Sequence, residues 1–331
     1  MITSPERILV HVSGDRLGDA LLKYPVIKAF REAHPNTHIT WVTSRRPSIF
    51  QGPLSFLNEG LLDEIHAESG LGRSLFTPLP TFLAARYDVV VATETRVLQT
   101  LALMRIPHDS FIGPGLRFAL STRRPGWDYK GLSVYEQFRV LLSLAGGQDL
   151  EPRPYIEIPP AIERAAKLCF PPSKRYVGLS PGAGGERKRW PLASYIELAR
   201  WLETIEVVPT FFLGPDDSHL IDGITGQLPT AIFAEKAMEQ HVRSGPINTI
   251  AAARHMLCSI TNDSGGGHLI ASAGQPVITL YGHTDPRKFR SPYCRHVSIR
   301  PHDFRRESLT DITQQDLIGF LAKVEQGLSG S

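Results

Sequence analysis

Twice along this chain a short apolar run gives way to a polar turn and then a helix, and the second series starts only after a proline-rich break. Arg7–Val12 reads as a buried strand. The turn Ser13-Gly-Asp-Arg-Leu-Gly-Asp19 follows, and a helix runs from about Asp19 to His34 until Pro35-Asn36 stops it. His38–Thr43 is the next strand, which completes a βαβ unit, the usual opening of a parallel, doubly wound sheet. Tyr87–Ala92 is a further strand, Phe111–Gly115 a short strand or turn, and Tyr135–Ala145 a helix stopped by Gly146-Gly147. Residues 44–81 are rich in Pro, Gly and Ser, and their periodicity orders no element.

The stiff passage Glu151-Pro-Arg-Pro-Tyr155 sets the expected domain boundary, giving units 1–155 and 156–331. Beyond it Pro159-Pro160 and Pro171-Pro172 bracket a helix, Ala161–Phe170, and the rhythm restarts with the strand Tyr176–Ser180. A helix through Glu203, a strand Val207–Leu213, a short strand Ala231–Phe233 and a helix Ile247–Met256 continue it. Thr313-Gln-Gln-Asp316 fits a capping pattern for a final helix, Gln314–Gln326, expected to cross back onto the first domain. A length of 331 residues, 42% hydrophobic, agrees with two α/β domains rather than one core.

Charge narrows the partners. A net charge of +3 with a pI near 8.7 suits anionic substrates or a peripheral contact with an anionic membrane, and is too weak to argue for nucleic acid. No stretch approaches the ~20 apolar residues of a membrane span. MITSPERILVHVSGD lacks a basic region ahead of an apolar core, so it is not read as a secretory signal. Cys169, Cys258 and Cys294 are odd in number and far apart, which fits a reducing, cytoplasmic setting without a structural disulfide. The absence of DxD, HExxH and paired CxxC patterns leads to the expectation that no metal takes part.

Four turns carry the candidate chemistry. In Leu257–Pro286, two apolar runs flank Asn262-Asp-Ser-Gly-Gly-Gly-His268, so a glycine-rich turn feeds a helix. Unpaired amides at the positive end of a helix dipole suit a phosphate or diphosphate. Asp263 or Ser264 is the N-cap, and His268 lies one turn in; the same pattern also describes a capped surface turn with a half-buried histidine. The turn Pro181–Pro191 sets Gly182, Gly184 and Gly185 beside Arg187, Lys188 and Arg189, where a diphosphate leaving group can be neutralised or a basic loop simply solvated. Gly214-Pro-Asp-Asp217 offers carboxylates to sugar hydroxyls, or is polar as loops are. In the first turn Asp15 and Asp19 face the ligand crevice of an open sheet. Asp19 suits a base for an acceptor hydroxyl and equally suits an N-cap. Arg45, Arg46 and Arg73 can hold an anionic acceptor or stay solvated.

Together, Gly18-Asp19-Ala-Leu-Leu-Lys-Tyr-Pro25, Lys188-Arg-Trp-Pro191, and Asn262–His268 with Tyr281-Gly-His-Thr-Asp-Pro286 resemble the GD-x-L-x-x-x-P, K-x-W-P, D-[ST]-G-x-x-H and YG-x-TDP segments of glycosyltransferase family 9, the ADP-heptose:lipopolysaccharide heptosyltransferases. Their order and spacing cover nearly the whole chain. The resemblance implies a GT-B architecture, with two Rossmann-like doubly wound domains facing a central cleft, acceptor on the N-terminal side and nucleotide sugar on the C-terminal side. It implies a metal-independent, inverting transfer from ADP-heptose to a lipopolysaccharide core or related glycan, at the inner leaflet or in the cytoplasm. Asp19 would be the base. Lys188 would meet the donor phosphates, with Asp263, Ser264, Gly265, Gly266 and His268 around the heptose and diphosphate. Ser180, Gly182 and Asp217 complete the donor-side candidates, and Asp15, Arg16 and Arg96 are those for the acceptor.

The chain also departs from that family. Where a D-x-x-G-x-x-[KR]-[ST] segment is frequent, it has Ala92-Thr-Glu-Thr-Arg-Val-Leu-Gln-Thr100, and Gly267 precedes His268 where serine is common. The alternatives are the same fold acting on another nucleotide sugar, and a sugar-nucleotide-binding subunit without catalysis.

Overall fold

The structure is a computed structural model that describes residues 4–14, 16–74 and 78–319, with the backbone alone at 127. Two compact units divide it: Met1–Pro154 with Arg287–Phe289, and Tyr155–Pro286 with Arg290–Ser331.

Unit 1 is built on strands β1 (Arg7–Val12), β2 (His38–Thr43), β3 (Glu64–His66), β4 (Tyr87–Ala92) and β5 (His108–Ile112), with helices α1 (Leu17–Ala33), α2 (Val97–Leu103) and α3 (Val134–Gly146). The sheet order is β3-β2-β1-β4-β5, and every pair is parallel. Strands in such a sheet are covered on both faces, so they read as continuous apolar runs rather than alternating ones. Leu9, Val42, Val90 and Phe111 accordingly share one buried cluster. Ser133 and Glu136 form a capping box at the start of α3, and Gly147 ends it in the left-handed region at φ 74°, where glycine carries no Cβ penalty.

Unit 2 repeats the scheme with helices α4 (Pro160–Cys169), α5 (Leu192–Thr204), α6 (Ile221–Thr225), α7 (Ala234–Glu239), α8 (Pro246–Ala253) and α9 (Gly265–Ala271). Its strands are β6 (Arg175–Ser180), β7 (Val207–Phe211), β8 (Ile232–Phe233), β9 (Cys258–Asn262), β10 (Val277–Leu280) and β11 (His296–Ile299). They lie in the order β11-β10-β9-β6-β7-β8, again all parallel. Leu179, Trp190, Phe211, Ile260 and Leu280 are in its core; full burial of each such side chain contributes about 1.5–3 kcal/mol. Among the described residues, no helix is long and apolar enough to cross a membrane.

Several expectations change. Helix α1 starts at Leu17, with Arg16 as its N-cap, so Asp19 sits inside the first turn and the capping reading of Asp19 falls. The turn before it is shorter than its polarity suggested because Leu17 and Gly18 are already helical. Similarly α9 begins at Gly265, which puts all three glycines in the helix rather than in a loop ahead of it. The unordered stretch 44–81 contains β3, a three-residue edge strand whose Glu-Ile-His sequence carries no apolar run. Strand β11 and helix α2 were not read from the sequence. The closing helix is described over 314–319 only, with Thr313 accepting from the Asp316 amide; its expected course lies outside the described residues.

Candidate functional site

In both sheets the strand order reverses about the first strand of the unit, between β1 and β4 and between β6 and β9. Loops leaving the carboxyl ends of such a strand pair splay apart and leave a crevice. Both crevices hold the residues singled out above.

In unit 1 the crevice is a pocket of about 580 Å³, lined from the β1 loop by Ser13, Gly14 and Arg16, from α1 by Asp19 and Lys23, from the β2 loop by Arg45 and Arg46, and from the β4 loop by Thr93–Arg96. Gln137, Phe138 and Leu141 of α3 and the ring of Tyr129 supply a less polar wall. The structure therefore brings Arg16, Asp19 and Arg96 together, with Arg45 and Arg46; Arg73 is not part of the lining, and Asp15 lies outside the described residues. The Ser13 hydroxyl donates to Glu94 Oε1 at 3.0 Å, which ties the two loops. Burial, and secondarily the Glu94 carboxylate, push the Tyr129 phenol above its usual range. Beneath the pocket His11 is fully buried, its ring 2.7 Å from the Ser44 hydroxyl. Ser44 donates to the Leu71 carbonyl, so the His11 ring carries its proton on Nε2. Burial first, and Lys23 second, lower the His11 pKa to about 3. Lys23 and Glu94 lie inside the segments Gly18–Pro25 and Ala92–Thr100 but were given no role there, and Tyr129 went unread, because only the fold gathers the three.

In unit 2 the basic loop after β6 and the turn after β9 meet. Lys188 Nζ lies 2.5 Å from Asp263 Oδ2, a pair 75 residues apart in sequence. Asp263 is 7% exposed, and a buried carboxylate needs such a partner. The loop is held from below by Asn262, which is fully buried. Its Nδ2 donates to the Pro181 carbonyl at 2.8 Å and its Oδ1 accepts from the Trp190 amide at 3.0 Å. Arg189 closes the loop on itself by donating twice to the Ala183 carbonyl.

Ser264 is the N-cap of α9, accepting from the Gly267 amide at 3.0 Å. The glycines divide by role. A Cβ on Gly184 or Gly185 would meet nothing within 4 Å, and one on Gly266 would come no closer than 3.7 Å, to the hydroxyls of Ser180 and Ser264. A Cβ on Gly267 would sit 2.9 Å from the Asn262 carbonyl, so that glycine serves packing against β9. Gly182 is where the Asp217 carboxylate packs, 2.0 Å from a would-be Cβ. Burial raises the Asp217 carboxyl, Asp216 reinforces this, and Arg189 and His219 oppose it.

His268 lines a cavity of about 10 Å³ with Asp263, Ser264, Thr279, Tyr281 and His296, roughly the room one water needs. His296 accepts from the Ser291 amide on Nδ1 at 3.0 Å and lies 2.8 Å from the Thr279 hydroxyl through Nε2. That fixes its proton on Nε2. Burial, then the neighbouring His268, hold its pKa down at about 4. Nothing in the sequence pointed to His296, which lies outside every motif. Among the described residues, no group of three or more His, Cys, Asp or Glu is arranged to hold a metal ion.

Residues 83–309 match the family model described as glycosyltransferase family 9 (heptosyltransferase). Lipooligosaccharide heptosyltransferase 2 of Haemophilus influenzae is 23% identical over 308 residues, 82% of each chain. A solved glycosyl transferase family 9 structure from Veillonella parvula has a TM-score of 0.71 at 21% identity, covering 96% of this chain and 97% of that one. E. coli heptosyltransferase WaaC with ADP has a TM-score of 0.65 at 15% identity, covering 97% and 98%. The fold shared with these structures is the GT-B fold that the family resemblance implied.

Proposed function

Since the chain belongs to glycosyltransferase family 9, the heptosyltransferases, and is a glycosyltransferase, we propose that it transfers heptose from ADP-heptose to a hydroxyl of an anionic glycan or glycolipid, with inversion and without a metal. Lys188, oriented by Asp263 at the start of α9, carries the donor side of this reading. One ammonium proton is committed to Asp263, and the others remain for the diphosphate. The amides of the first turn of α9 and the open backbone at Gly184 and Gly185 add donors that strengthen as charge builds on the leaving ADP. That the solved WaaC structure holds ADP supports an adenine nucleotide.

Unit 1 takes the acceptor. Its pocket sets the Asp19 carboxylate among Arg16, Lys23, Arg45, Arg46 and Arg96, so cations outnumber carboxylates around the group that removes the proton. The acceptor oxygen attacks the anomeric carbon, the bond from that carbon to the phosphate oxygen breaks, Asp19 takes the hydroxyl proton, and ADP leaves with the electron pair. A lipid-linked acceptor would bring the basic chain, pI near 8.7, to the surface of the inner membrane.

Calorimetry with ADP-, UDP-, GDP- and dTDP-sugars tests the donor: a preference for adenine is expected, and equal affinities would remove ADP-heptose. Asp19→Asn should keep donor affinity within about two-fold while turnover falls by about 10² or more. Turnover that survives the substitution would exclude the base.

A further inference from the structure

Lys23 is 7% exposed, and among the described residues its ammonium has neither a hydrogen bond nor an ion pair. Lysines this buried are ordinarily paired. The side chain is not sealed in, because it lines the pocket of unit 1 and its nitrogen is not one of the enclosed unpartnered atoms. Asp19 stands one helical turn earlier and so on the same face, but not within 4.0 Å. The imidazole below cannot neutralise the charge: His11 Nε2 is engaged with Ser44, and Nδ1 is buried without a partner. A buried ammonium in the lining of a pocket, with no anion paired to it among the described residues, is arranged for an anion that enters from outside.

We propose that Lys23 is the floor of an oxyanion subsite in this pocket, taking a phosphate or carboxylate that the acceptor carries near its reacting hydroxyl. The proposal rests on the reading of the pocket as the acceptor's and adds to it a chemical requirement and a residue. Its position one turn from Asp19 means that an acceptor held by this group has its nearby hydroxyls presented to the base, so the subsite selects among acceptors by where they bear charge.

The test needs neither donor nor turnover, so it stands apart from the assignment of the reaction. Glucose 6-phosphate and glucuronate are titrated by calorimetry into the full chain and into Lys23→Met and Lys23→Arg. Binding of at least one sugar anion is expected in the wild type, weakened about ten-fold or more by Lys23→Met and restored within about three-fold by Lys23→Arg. Which of the two binds identifies phosphate or carboxylate. Lys23→Met, having lost an uncompensated charge without losing volume, should melt at or above the wild-type temperature. Affinity that Lys23→Met leaves unchanged, binding of neither anion to the wild type, or a Lys23→Met chain that melts lower or fails to fold would each overturn the proposal.

Discussion

Asn262 sets the terms at the residue scale. Its side-chain amide joins the Pro181 carbonyl to the Trp190 amide, the two ends of the loop that delivers Lys188 to Asp263. Removing one buried partner leaves the other without water or protein to satisfy it, at about 1–3 kcal/mol for each group. Asn262→Ala should therefore lower unfolding free energy by about 2–4 kcal/mol in urea titrations and weaken ADP binding in the same variant. An Asn262→Ala chain of full stability would show that the loop holds itself. The sequence displayed Asn262 as the first letter of a motif and gave no hint of this bracing, since both partners are more than seventy residues away.

Glu235 plays a comparable part between elements. It lies in the first turn of α7, accepts from the Leu213 amide beyond β7 through Oε2 at 3.0 Å, and accepts from the Thr249 hydroxyl of α8 through Oε1 at 3.0 Å. Burial raises its pKa to about 7, against the pull of those hydrogen bonds. The protonated form is thus favoured by the fold. Its stabilising contribution is complete below the ordinary carboxyl value near 4.5, and is lost as pH rises through about 7. Glu235→Gln keeps an acceptor for Leu213 and a donor for Thr249 without the charge. Relative to wild type it should gain stability as pH is raised from about 4.5 to above 7, reaching a few kcal/mol at the upper end; thermal melts at the two ends of that window measure the gain. A difference that stays flat across the window would mean that the carboxylate is relieved in some other way. The strands and helices that this clamp joins were legible from their apolar runs, whereas the clamp was not, because one glutamate in a helix named by its period has no pattern of its own.

For the whole molecule, the two units carry separate sheets and separate crevices, so ligands should leave separate traces. ADP in hydrogen-exchange measurements should first protect amides of 181–189 and 263–267, with the 13–23 segment of unit 1 unaffected. Protection that begins in the 13–23 segment would reverse the assignment of the two units. Much of this scale was open to a sequence reader: the apolar runs, the proline passage at 151–155 and the restart of the rhythm describe two parallel α/β sheets before any coordinates. β3 and β11 escaped, being short edge strands, half-buried through most of their length, in which packing on one side alone puts little constraint on composition.

The chain's own order of residues settled which local structures form and where glycine and charge coincide, because periodicity, capping and turn chemistry act over a few residues at a time. It therefore determined the repeating strand and helix plan and the segments Gly18–Pro25, Lys188–Pro191 and Asn262–His268. Only the tertiary structure decided that Lys188 meets Asp263, that Gly267 is filled by its own strand while Gly184 and Gly185 stay open, and that Lys23 lines a pocket without an ion pair among the described residues. Those outcomes depend on contacts between segments tens of residues apart, and their energies arise from burial and desolvation, which do not exist until the sheets have assembled.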